Sequence, residues 1–431
     1  MDTRRTNPAR TSKLSEDSFA PALERQSAGL FNALAAINIG GEGCYGERLL
    51  YALFYEAELL EDYLDSHGAS RNKRFHLIRE DVSGIKWVSK ALSCLALLRD
   101  GRNSYPAADQ KWNDEQIVEH VRVSTACLTE CLSMLASQLN HSWLAADMSV
   151  INPKRPSVDI HPPSPLLPPD LINDEDDDIN GDANLMAQKY LSRLLRLYGS
   201  WDVAATQRLV ASSDTKLFMK KYCTEAIARS FQSRVHNLQS DYDSYLRNTA
   251  QELSEPSLRK VRGAISQCLH LLEAVTALTH LYERHGHREH LSHAIPWKAL
   301  VTVIVNHLVL PAYRSIEVCV PLTRELLATL TVRESVEVDL PDGVEMHARP
   351  LSMIANVVKH HGLDVEIECD GKRANAASFM AMLVLIGSHP KVTRYTFYGE
   401  NSVISDIEQL FKLGLGEISL KLVTDTFPYL K

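Results

Sequence analysis

The stretch Met346-His347-Ala348-Arg349-Pro350 lies between an alternating segment and an apolar helical repeat, and its reading decides the fold. Upstream, Val336, Val338 and Leu340 alternate with Glu337 and Asp339. That two-residue period belongs to a strand with one buried face. Downstream, the spacing predicts a helix over 349–361. Pro350 stands in its first turn, where a missing N–H is tolerated. His347 therefore stands at the mouth of a helix, whose end is positive and carries unpaired amides. An imidazole there is placed to carry a phosphoryl group, because the amides face the phosphoryl oxygens. It is largely neutral and nucleophilic near pH 7. Arg349 adds a planar fork of donors for the same oxygens.

Working outward, Val365, Ile367 and Cys369 alternate with Glu366 and Glu368, and Asp370-Gly371 offers a tight turn into 372–375. Helical stretches over 349–361 and 378–386 interleave with these strands. A fourth strand (392–398) and a third helix (405–413) follow. The order is βαββαβα, an α+β domain whose antiparallel sheet is covered by helices on one face.

Residues 334–413 resemble HPr, the histidine-containing phosphocarrier family of the phosphoenolpyruvate-dependent sugar phosphotransferase system. The likeness rests on Asp342-Gly343, His347-Ala348-Arg349-Pro350, Asp370-Gly371-Lys372 and Asn375-Ala376-Ala377-Ser378. The resemblance implies that His347 takes a phosphoryl group from enzyme I and hands it to a phosphoacceptor protein, with Arg349 stabilising the phosphate. It also marks Ser378 as the counterpart of the family's regulatory serine, although serine at a helix start is in its own right a good cap. Two departures stand out. Three residues, Val344-Glu345-Met346, separate glycine from histidine where the family usually has one. The loop aiming His347 is thus expected to differ, and the Glu345 carboxylate to repel an incoming donor. Secondly, 379–386 holds no polar side chain, so Phe379, Met380 and Leu383 form a partner-docking surface, expected to pack on the helical region or on a second copy.

The remaining 330 residues read as helical and carry no recognised family pattern. We divide the chain into a disordered tail (1–20), a helical region (21–150), a linker (151–183), a second helical region (184–330) and the HPr-like domain (331–431). The linker holds seven prolines and the acidic run 174–178. In the second helical region Pro296, Pro311 and Pro321 are expected to divide the end into short helices.

At 431 residues the chain is long enough for several domains. A net charge of -8 argues against nucleic acid as a partner. The polar N-terminus lacks a signal core, and no apolar run reaches the length of a membrane span. Eight cysteines without CxxC pairs read as reduced thiols in a cytoplasmic protein. His285, His287, His290 and His293 crowd one segment, but Gly286 interrupts the helical pattern and no cysteine lies near, so no metal and no cofactor is expected. No nucleotide loop, GxSxG or other catalytic constellation is present. Two functions fit. One is a phosphocarrier, or a phosphotransferase-system-linked regulator, acting through His347. The other is an interaction scaffold whose HPr-like domain is degenerate and is never phosphorylated.

Overall fold

The structure is a computed structural model that describes residues 14–39, 46–99, 115–153, 183–201, 215–330 and 333–430. The proline-rich, acidic part of the expected linker lies outside these residues, as do residues 1–13. The helices are α1 (Glu16–Ile39), α2 (Glu47–Ser66), α3 (His76–Arg99), α4 (Glu115–Ala145), α5 (Ala183–Ser200), α6 (Thr215–Tyr222), α7 (Glu225–Tyr245), α8 (Ala250–Ser254), α9 (Ser257–His285) and α10 (Trp297–Leu330). The C-terminal part follows as β1 (Arg333–Asp339), α11 (Ala348–His361), β2 (Glu366–Cys369), β3 (Lys372–Asn375), α12 (Phe379–Gly387), β4 (Arg394–Glu400), α13 (Asn401–Lys412) and α14 (Leu420–Thr426).

Two expectations need correction. Helix α1 begins at Glu16, inside the segment expected to lack structure. Acidic Glu16 and Asp17 suit the positive end of a helix, and Phe19 stacks on Tyr63 and meets the edge of Phe75. Of the three prolines, Pro296 does precede a helix start, but Pro311 and Pro321 do not cut the end of the helical region. Helix α10 runs unbroken from Trp297 to Leu330 and absorbs Pro311 by widening to a π-helical turn over Val303–Val309. Proline cannot donate to the carbonyl four residues back and its ring crowds that carbonyl; a wider turn relieves both. Pro321 sits on an exposed position. Among the described residues α10 is the one helix long and apolar enough to cross a membrane, by length and composition, which the broken pattern had hidden. Its most apolar window is 67% buried inside the fold.

The chain divides into two units: 1–171, 203–233 and 266–314 form the first, and 172–202, 234–265 and 315–431 the second. In the first, α2, α3 and α4 pack through Leu53, Leu60, Ile78, Val82, Leu92 and Leu135. Charged pairs also bridge these helices. Arg79 makes a two-pronged bond to Asp65 at 2.7 and 2.8 Å, and Lys86 pairs with Glu61. The histidine-rich segment belongs to this network. His285 meets Glu80 and Ser83, each at 3.1 Å, and His290 meets Asp81 at 2.8 Å. Asp81 also accepts from Gln138 (2.8 Å) and Ser142 (2.5 Å). These imidazoles satisfy buried carboxylates, which would be costly if left unpaired. Among the described residues no three His, Cys, Asp or Glu side chains gather as a metal site.

In the second unit, β1 to β4 form one antiparallel sheet in the order β1-β4-β2-β3. Its inner face presents Val338, Ile367, Cys369, Tyr395 and Phe397 to Leu351, Ile354 and Val358 of α11, to Met382 and Ile386 of α12, and to Ile407 and Phe411 of α13. The other face is polar: Arg373 reaches Glu368 at 2.7 Å and lies over the Tyr398 ring at 3.9 Å, and Arg394 pairs with Asp339 at 2.7 Å. Helix α5 is tied to the chain entering the sheet, where Gln188 donates to the Leu330 carbonyl at 3.0 Å. The predicted βαββαβα order and one-sided cover are both present.

The network of the first unit has a pH signature. Burial alone raises the Glu80 carboxyl, but the hydrogen bond and charge of His285, with Arg288 and Arg79, outweigh it and hold Glu80 below its ordinary 4.5. The unfolded chain therefore binds this proton more readily than the folded one. The stability that Glu80 contributes is complete above about pH 4.5 and is lost as pH falls through its folded value. In thermal melts from pH 7 to 3.5, the midpoint advantage of the wild type over Glu80→Gln should shrink below pH 4.5. A constant gap across that range would contradict the pairing.

Candidate functional site

His347 is the residue that starts α11. Its backbone is extended (φ -130°, ψ -165°), its carbonyl accepts the first helical bond from the Leu351 amide at 3.2 Å, and its ring Nδ1 faces the Arg349 amide at 3.4 Å. The imidazole thus occupies the capping place usually held by serine or aspartate. Pro350, next in the turn, brings no N–H of its own, so the Ala348 and Arg349 amides form the mouth of the helix. The side chain is half exposed.

The extra residues before His347 are absorbed locally. The Val344 amide closes a turn on the Pro341 carbonyl at 3.0 Å, with Gly343 at φ +76° in the position where the turn demands a left-handed residue. Val344 is buried, Met346 packs against the domain core, and Glu345 is exposed. The lengthened loop is therefore pinned on both sides of an outward glutamate.

The carboxylate within ion-pair reach of the imidazole is Glu417, which the motif did not point to. Its Oε1 stands 3.4 Å from His347 Nε2 and 3.4 Å from Arg349 Nη1. That oxygen is sealed from solvent and has no hydrogen-bond partner among the described residues. The two contacts of the ring agree: Nδ1 accepts and Nε2 carries the hydrogen. The lone pair of Nδ1 then lies beside the helix amides. Arg349, expected to fork toward a phosphate, turns to Glu417 instead.

Glu417 owes its place to a strained turn. Gly414, Leu415 and Gly416 all have positive φ (73°, 54° and 80°), and the Glu417 amide bonds the Gly414 carbonyl at 2.9 Å. Leu415 is fully buried, so its side chain anchors the turn in the domain core while its backbone bears a conformation disfavoured for a non-glycine residue. A Cβ at Gly416 would press on Met353 of α11 at 3.0 Å. The turn is thus built close to the helix that His347 caps. The one signal for it in the sequence was Gly-Leu-Gly, with no indication of where it would land.

Ser378 caps α12. Its Oγ accepts from the Ala381 amide at 3.2 Å. On α12, Met382, Leu385 and Ile386 are buried, Phe379 is partly buried against the core, and Met380 (62%), Val384 (65%) and Leu383 stay exposed. The outer apolar face is uncovered among the described residues. Within the second unit, the part of the domain that meets helix α5 is instead the end of α11, where Arg196 donates to the Gly362 carbonyl at 2.6 Å.

Replacing Ser378 with alanine should lower the opening free energy of α12 by about 1 kcal/mol, the usual worth of a cap. Hydrogen exchange over 379–387 in the full chain reads this. Unchanged exchange would show that the hydroxyl does not hold the helix.

Residues 332–401, which run from the edge of β1 to the start of α13, match the family model described as PTS HPr component phosphorylation site. No curated protein and no solved structure matches the chain. The matched stretch includes His347, Arg349 and Ser378, while Glu417 lies beyond its end. Residues 332–401 are therefore HPr-like, and no family model matches the helical part before them.

Proposed function

We propose that His347 accepts a phosphoryl group from enzyme I of the phosphotransferase system, and that the chain uses it as a carrier or as a regulator reading the state of that system. The observation that supports this most is the half-exposed ring with Nδ1 turned to the start of α11. In the transfer, the Nδ1 lone pair attacks the phosphorus held on the donor's imidazole. The N–P bond to the donor breaks and its electron pair stays on the donor nitrogen. The Nε2 hydrogen remains opposite Glu417, which balances the positive charge that forms on the ring. The Ala348 and Arg349 amides and the dipole of α11 meet the phosphoryl oxygens. Negative charge arriving at His347 would then compete with Glu417 for Arg349, a local change that a regulator can report. The exposed α12 face fits the docking of enzyme I and of a phosphoacceptor protein. The reading carries a cytoplasmic location with it, in keeping with seven free cysteine thiols among the described residues.

Glu417 also favours a second reading, the scaffold with a silent domain. Its carboxylate faces both the His347 ring and the Arg349 guanidinium. A phosphoryl charge about 6 Å from it would be repelled by about 1–3 kcal/mol per charge pair at effective dielectric constants of 20–80.

Incubation with enzyme I and phosphoenolpyruvate, followed by peptide mass spectrometry, separates the two. The carrier reading expects an acid-labile phosphoryl adduct on His347, absent from His347→Ala, with Glu417→Gln raising its equilibrium extent at least about fivefold. Failure of both wild type and Glu417→Gln to take up phosphate would leave the scaffold reading.

A further inference from the structure

Past α13 the chain continues as a segment, residues 414–430, that lies beyond the matched family stretch. Both ends of this segment pack on α11. At the first, Glu417 faces His347 and Arg349 at the mouth of the helix. At the second, the Tyr429 ring lies flat on His360 at 3.7 Å, and its hydroxyl donates to Asp406 at 2.9 Å. Asp406 also holds His361 at 2.8 Å. These two histidines close α11, whose 14 residues span about 21 Å. One segment thus meets both ends of one helix. Between the two contacts Ser419 caps α14, its Oγ accepting from the Leu422 amide at 3.3 Å.

The hold at the Glu417 end is slender. Leu415, Val423 and Phe427 are buried under the segment, whereas Ile418, Leu420 and Leu422 on its outer side are exposed. The turn that opens it is strained, with Leu415 at φ 54° between two left-handed glycines. Such a backbone persists only where its surroundings impose it. Here the buried Leu415 side chain and the ion pairs of Glu417 do so. Glu417 makes both pairs at 3.4 Å through one oxygen, which is sealed from solvent and accepts no hydrogen bond among the described residues. Its attachment is therefore attraction between charges, and it turns to repulsion once the charge at His347 is negative. A sealed carboxylate cannot relieve that repulsion by hydration. Opening the turn supplies the hydration and relaxes Leu415. A plain cover for the core explains Val423 and Phe427. It does not explain a strained turn and a sealed carboxylate at the mouth of α11.

We infer that residues 414–430 form a strap along α11, closed by Glu417 on His347 and Arg349 and opened by negative charge at His347. Opening relaxes the Gly414–Gly416 turn, hydrates Glu417 and lifts Tyr429 from His360. The far end of the strap lies where the domain is tied to α5: Gly362, the residue after α11, accepts from Arg196 at 2.6 Å. The strap carries the state of His347 to that contact, while α11 and the sheet stay folded. It is a local opening of one weakly held element rather than a change of fold. Its biological use rests on the proposal that His347 takes a phosphoryl group, which supplies the charge. The opening itself does not, and the two can fail separately.

The test is amide hydrogen exchange of the full chain, read by mass spectrometry over 414–430 and, as a control, over β4. His347→Glu and His347→Gln differ in charge and hardly in shape. Exchange over 414–430 should be at least about fivefold faster in His347→Glu, the effect of one repulsive pair, with β4 unchanged. Adding Glu417→Gln to both should abolish the difference. The His360 ring protons, which the stacked Tyr429 ring shields, should shift downfield in the NMR spectrum of His347→Glu and not in that of His347→Gln. A fourth measurement needs no variant: wild type carrying the phosphoryl adduct after treatment with enzyme I and phosphoenolpyruvate should exchange faster over 414–430 than untreated chain. Equal exchange in the two His347 variants, a difference that survives Glu417→Gln, equal loosening of β4, or a His360 ring that does not respond overturns the strap. Failure to form the adduct contradicts phosphoryl transfer to His347, and the charge variants still decide the strap.

Discussion

The C-terminal domain depends on one demand made of one side chain. His347 must end the loop after β1, cap α11, and still present a ring nitrogen to solvent. Serine or aspartate would meet the first two requirements better, since their short oxygens reach amides more closely than the 3.4 Å seen here. Only imidazole joins capping geometry to a nucleophilic lone pair that is available near neutral pH. The long contact makes a loose cap.

What surrounds that ring sets its chemistry. Pro350 removes a donor from the first turn, Val344 and Met346 clamp the approaching chain, and the strained Gly414–Gly416 turn brings Glu417 to the far nitrogen. A carboxylate opposite the reactive nitrogen has two effects of opposite sign. It fixes the tautomer and balances an imidazolium, and it repels a phosphoryl group. In a domain that simply passes phosphate along, the second effect is a handicap. In one that reports its state, it supplies a latch, because Arg349 then has two anions to choose between.

Much of this domain was legible because each signal was local. The period-two segments Val336–Leu340 and Val365–Cys369 name their own inner faces, and Pro350 and Ser378 announce helix starts. The residues that escaped are those whose partners lie far along the chain. Glu417 follows His347 by seventy positions and sits outside any periodic pattern. Arg196 reads as an ordinary helix-surface charge until α5 brings it to the end of α11. The crowded histidines at 285–293 could be weighed only against a metal, because Glu80 and Asp81, which hold them, lie two hundred positions upstream. Pro311 misled for the opposite reason: a local rule predicts a break there, and the wide turn before it keeps α10 continuous. The start of α13 also moved, to Asn401, because Glu400 caps it by accepting from the Ser402 amide at 3.0 Å.

The central claim, a capping imidazole with Nδ1 as acceptor and the hydrogen on Nε2, can be tested directly by long-range ¹H–¹⁵N NMR of the histidine rings near neutral pH, with His347 assigned by its loss in His347→Ala. The account predicts an unprotonated Nδ1 and a protonated Nε2 whose resonance moves in Glu417→Gln. A hydrogen found on Nδ1, with no response of the ring to loss of the Glu417 charge, would contradict it.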